Sequence, residues 1–157
     1  MPMSKKQTVV LGIGNPLMSD DGVGIKVVEA LIECAADFPD IDFYDAGTGG
    51  LAMLHYLDGR KKTIIIDCAV MGTPPGSIKR FTLDDIETKK AISYRSNHEI
   101  DIIKLFEFAG QSELYDGDIV FFAVEPANTG EGMELSEPVK NSLSSCIELI
   151  KKELSAQ

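Results

Sequence analysis

Residues 62–70, KTIIIDCAV, form the most apolar stretch of the chain and carry an aspartate, Asp67, near its end. The β-branched run Thr63-Ile64-Ile65-Ile66 has no alternation of wet and dry positions, so it predicts a strand buried on both faces. Such a strand belongs at the centre of a sheet, and the remaining elements must be arranged around it. TVVLGI (8–13) is a second buried strand, stopped by glycine. From Asp21 to about Asp37 the spacing becomes helical, with Val23, Val27, Ala30, Leu31 and Cys34 on one face and Lys26, Glu29 and Glu33 on the other. IDFYDAG (41–47) reads as a strand, followed by the turn GTGG and a short helix over 51–57.

After the central strand only MGTPPG precedes SIKRFT (77–82), too little chain for a helical crossover. That strand is therefore expected to run antiparallel at an edge. Residues 84–95 are polar and mixed and predict no element. A helix is expected over 97–108, a strand at DIVFFAV (118–124) and a helix over 136–154 with Val139, Leu143, Cys146, Ile147 and Ile150 on one side. The order βαβαββαβα predicts an α/β fold. Its form is a three-layer α/β/α sandwich with a mostly parallel five-stranded sheet, one antiparallel strand and helices on both faces. With no repeat or linker, residues 1–157 are expected to form a single domain.

Composition narrows the setting. A net charge of −10 and a pI of about 4.6 lack the basic footprint of nucleic-acid binding. No apolar stretch reaches the roughly 20 residues that span a bilayer, so no membrane insertion is expected. MPMSKKQ leads straight into a strand without a signal-peptide core. Cys34, Cys68 and Cys146 are odd in number and form no CxxC pair, which suits a reducing compartment. The expected location is the cytoplasm.

Three segments carry the chemistry. Gly12-x-Gly14 follows a strand and opens a helix, as in dinucleotide-binding loops, yet the third glycine position holds Leu17. Asp20 and Asp21 then oppose bound phosphate at a helix N-terminus. One aspartate can cap the helix, with Asp20 the expected cap and Asp21 the residue turned to a cleft. Asp67 stands at the carboxyl end of a parallel strand, where open α/β sheets place ligands, and a buried carboxylate needs a partner or a metal. His98 lies in SNHE, whose Ser96-x-x-Glu99 spacing is a capping box. That position disfavours an imidazolium and should leave a partly exposed, neutral ring able to coordinate. Two carboxylates and an imidazole at one sheet edge would make a three-ligand metal site with open positions. His55 reads as a surface residue and Cys68 as a small core residue. No GxSxG elbow is present.

The loop Gly14-Asn15-x-Leu17-x-x-Asp20-Asp21-Gly22-x-Gly24 resembles that of the [NiFe]-hydrogenase maturation endopeptidases. The resemblance continues through Asp45-Ala46-Gly47-Thr48, Ile66-Asp67 and Ser96-Asn97-His98. It then takes in Val124-Glu125-Pro126 and Leu135-Ser136-x-Pro138-Val139, in the expected order. It implies that Asp21, Asp67 and His98 are the metal ligands and catalytic residues, with aspartate at Asp21 where some members carry glutamate. It implies an endopeptidase that removes the C-terminal extension of a hydrogenase large-subunit precursor, with nickel supplied by that precursor. A monomer is expected. The alternative is a non-catalytic nickel-binding chaperone or sensor using the same ligands.

Overall fold

The computed structural model describes residues 5–49, 52–82, 85, 96–98 and 117–156. The first residue of the expected short helix, the stretch 84–95 apart from residue 85, and the helix expected beyond His98 lie outside them. The strands are β1 (Thr8–Gly12), β2 (Ile41–Asp45), β3 (Lys62–Cys68), β4 (Ile78–Thr82) and β5 (Asp118–Val124). They form one sheet in the order β2-β1-β3-β5-β4. β3 is central, as its composition requires, and pairs in parallel with β1 and β5. β4 pairs antiparallel with β5 at the edge. The expected fold class is the observed one.

Among the described residues three α-helices cover the sheet: α1 (Val23–Glu33), α2 (Met53–Leu57) and α3 (Glu137–Ser155). Alternation along the central strands feeds two cores. Val10, Ile64, Ile66, Val120 and Phe122 pack under α1 and α3, against Val27, Leu31, Cys146 and Ile150. Val9, Leu11, Ile65, Ile119 and Phe121 pack on the other face against Met53 and Leu57 of α2. Phe81 of β4 stacks on Phe121 with ring centroids 5.1 Å apart. Each such side chain stabilises the fold by about 1.5–3 kcal/mol relative to exposure. Among the described residues no helix is long and apolar enough to cross a membrane.

The helix expected from Asp21 to Asp37 is shorter than its pattern. Ser19–Gly22 and Ala35–Asp37 are 3-10 turns flanking α1. Ile25 and Val28 are buried beside Val23, Val27 and Leu31, because the start of α1 sits unusually close to the sheet. Gly24 permits that approach. A Cβ there would lie 2.3 Å from Ile66 O and 2.4 Å from Ile13 O. The close contact sets the segment before α1 against the carboxyl ends of β1 and β3, and that edge carries the candidate site.

Candidate functional site

The loop after β1 is tied down on both sides. Gly14 donates its N–H to Gly47 O at 2.8 Å, and Ala46 to Gly12 O at 2.9 Å, joining it to the turn after β2. Gly14 has no room for a side chain, since a Cβ would meet Asp21 O at 2.1 Å. Ser19 takes a positive φ of 52°, a conformation that costs a non-glycine residue about 1–2 kcal/mol. Two bonds offset it: Ser19 N–H to Gly132 O at 2.8 Å and Ser19 Oγ to Gly130 O at 2.9 Å. This fixed loop presents two adjacent, buried aspartates with different duties.

Asp20 does not cap α1, contrary to the expectation. The residue at the N-cap of α1 is Gly22, and no side chain bonds there. Asp20 instead reaches across the sheet edge and accepts four hydrogen bonds. They come from Ser136 N (2.7 Å), Ser136 Oγ (2.8 Å), Ala127 N (2.9 Å) and Asn128 N (3.0 Å). Burial alone would push its carboxyl up; the bonds from Ser136, Asn128 and Ala127 outweigh that and hold it below the ordinary carboxylate range. Ser136 is the N-cap residue of α3 but gives its hydroxyl to Asp20, so Asp20 anchors the whole segment between β5 and α3.

Asp21 turns toward His98. Its Oδ2 accepts from Asn15 N at 3.0 Å and lies 3.1 Å from His98 Nε2. Its Oδ1 accepts from Asn97 Nδ2 at 3.2 Å. His98 is 6% exposed, so it is buried and not partly exposed as expected. Ser96 Oγ accepts from His98 N at 2.9 Å, a local turn that holds the backbone at the histidine. Asp67 is buried at the carboxyl end of β3, with Oδ1 accepting from Cys68 N at 2.8 Å. Burial first, then the charges of Asp67, Asp21, Asp20 and Glu125, push the Cys68 thiol far up. Cys68 is thus an inert core residue, and these carboxylates are gathered within electrostatic reach of one point. His55 is exposed, as expected.

The donor set suits nickel, zinc, iron or manganese. A 3.1 Å gap between Asp21 Oδ2 and His98 Nε2 matches neighbouring ligands on one ion with bonds of about 2.1 Å. Among the described residues no three His, Cys, Asp or Glu side chains form a group ready to hold an ion. The described residues show a buried Asp21–His98 pair, with Asp67 buried at the end of β3, and not a closed cage.

Sequence reasoning missed the residues that orient this pair. Asn15 and Asn97 hold Asp21, and both were visible only as members of the motifs that carry the resemblance. Glu125 was visible only within a motif. It is buried, and its Oε1 accepts from Met71 N (2.9 Å), Thr73 N (2.8 Å) and Thr73 Oγ1 (2.9 Å). Burial opposes its ionisation, but the bonds from Thr73 and Met71 prevail and lower its pKa.

Fold and site define a class: a doubly covered α/β protein with acids and an imidazole at the carboxyl edge of its sheet. The profile of the hydrogenase maturation proteases matches residues 25–153. The hydrogenase expression/formation protein HupM of Azotobacter chroococcum is 30% identical over 148 residues, covering 91% of this chain and 69% of that protein. The [NiFe] hydrogenase maturation protease HybD from Thermococcus kodakarensis superposes with a TM-score of 0.80 at 27% identity, over 94% of this chain and 99% of that one. The maturating endopeptidase HybD from E. coli gives 0.83 at 21% identity over 96% and 93%, a likeness of fold. This chain belongs to the hydrogenase maturation protease family, and it is a peptidase.

Proposed function

We propose that this peptidase removes the C-terminal extension of a [NiFe]-hydrogenase large-subunit precursor after nickel insertion. It reads the precursor's nickel through Asp21, Asp67 and His98, which are also its catalytic residues. The observation that carries this reading is the buried 3.1 Å contact between Asp21 Oδ2 and His98 Nε2 at the carboxyl edge of a parallel sheet. Three ligands, two of them anionic, leave coordination positions for groups that arrive with the substrate. Nickel held there can act as a Lewis acid toward a peptide carbonyl or a water.

The chain's own residues prepare that encounter. Asn15 N–H and Asn97 Nδ2 fix the Asp21 carboxylate, so Oδ2 faces the imidazole before substrate binds. Burial of Asp21 and His98 excludes bulk water from the pair. In this reading the enzyme works as a monomer in the cytoplasm, where its three free cysteines stay reduced.

The test is cleavage of matched nickel-loaded and nickel-free precursors, followed by intact mass. The loaded form should lose its extension and the nickel-free form should not. His98→Ala and Asp67→Ala should both retain cooperative unfolding and lose processing. Equal cleavage of the two precursors refutes nickel recognition, and full processing by both variants refutes the site.

A further inference from the structure

The two most exposed large apolar side chains among the described residues are Met133, at 75%, and Leu17, at 60%. Single exposed apolar residues are ordinary on protein surfaces. These two flank one backbone bridge. Gly132 donates to Leu17 O at 3.0 Å, Ser19 donates to Gly132 O at 2.8 Å, and Met18 pairs in parallel with Gly132. The bridge is held from beneath by the buried Asp20 carboxylate through Ala127, Asn128 and Ser136. A surface fixed in this way loses little conformational freedom when a partner covers it.

Its charge selects the partner. Glu131 and Glu134 are exposed on either side of Met133, while Glu137 pairs with Lys140 at 3.9 Å, and neither residues 12–25 nor residues 118–139 contain a lysine or arginine. Leu17 lies four residues before Asp21, in the segment that carries the candidate site. We infer that Leu17 and Met133 form a docking surface for an apolar, basic-flanked segment of the hydrogenase large-subunit precursor, away from its nickel. The inference rests on the function proposed above, and binding of nickel-free precursor separates the two.

The experiment measures affinity of the full-length enzyme for nickel-free precursor, where no cleavage intervenes. Leu17→Ala/Met133→Ala should bind it roughly tenfold or more weakly than wild type. Glu131→Gln/Glu134→Gln should also bind more weakly and show a flatter dependence on salt. Both variants alter only exposed side chains, so thermal melts should match wild type. With nickel-loaded precursor, the apolar double variant should raise KM and leave kcat within about twofold. Unchanged affinity in the apolar double variant, or no wild-type binding to nickel-free precursor, overturns the docking surface. Cleavage of the loaded precursor reports separately on the proposed function, so each reading can fail without the other.

Discussion

Replacing Asp20 by asparagine tests whether the buried carboxylate, and not only its shape, holds the sheet edge together. Asparagine keeps the size but turns one acceptor oxygen into a donor. The better orientation keeps oxygen at the Oδ2 position, which serves Ala127 N, Asn128 N and Ser136 Oγ. Ser136 N, 2.7 Å from Oδ1, then faces an amide N–H₂. One orphaned buried donor costs about 1–3 kcal/mol, and the other three bonds lose their charge assistance. The expected loss is about 3 kcal/mol at pH 7, a sizeable share of the roughly 5–15 kcal/mol that holds a domain. For a chain of this size it lowers Tm by about 6–12 °C.

The pH dependence gives the sharper reading. The Asp20 carboxyl titrates lower in the folded protein than its ordinary value of 3.8. Its contribution is therefore full above the unfolded pKa and is lost as pH falls through the lowered folded value. Asparagine does not titrate, so the wild-type and Asp20→Asn stabilities should converge in acid. Urea unfolding at pH 7 and in steps below pH 4 measures both, with m compared to confirm a common transition. A gap below about 0.5 kcal/mol at pH 7, or one that persists unchanged in acid, would refute the reasoning.

Two further outcomes are expected. Gly24→Ala should destabilise the protein by about 3 kcal/mol or lower its soluble yield, because the new Cβ meets the backbone carbonyls of Ile66 and Ile13. Helix propensity alone favours alanine by about 1 kcal/mol, so a stabilised variant in urea unfolding would contradict the close approach of α1. Native protein at pH 8 should release one thiol promptly to a disulfide reagent and three after denaturation. Burial pushes Cys146 up to about 12, and burial with neighbouring acids pushes Cys68 higher still, while Cys34 is only half-buried. Prompt reaction of two or more native thiols would contradict that picture.

The sequence by itself determined the sheet. Strand identity rests on local chemistry, and the β-branched run 63–66 could only be central. The short MGTPPG turn forced β4 antiparallel through its length alone. Tertiary structure decided what sequence periodicity does not encode. The helical pattern from Asp21 to Asp37 shrank to Val23–Glu33, because its first turn is governed by partners elsewhere in the fold. Asp20 and Asp21 are chemically identical neighbours, so no local rule could assign their roles. The structure turns one to Ser136, 116 positions away, and the other to His98, 77 positions away. Those partners meet because the order β2-β1-β3-β5-β4 brings the carboxyl ends of β1, β3 and β5 side by side. Propensity acts over a few residues, whereas a buried carboxylate takes its bonds from whatever donors the completed sheet sets beside it.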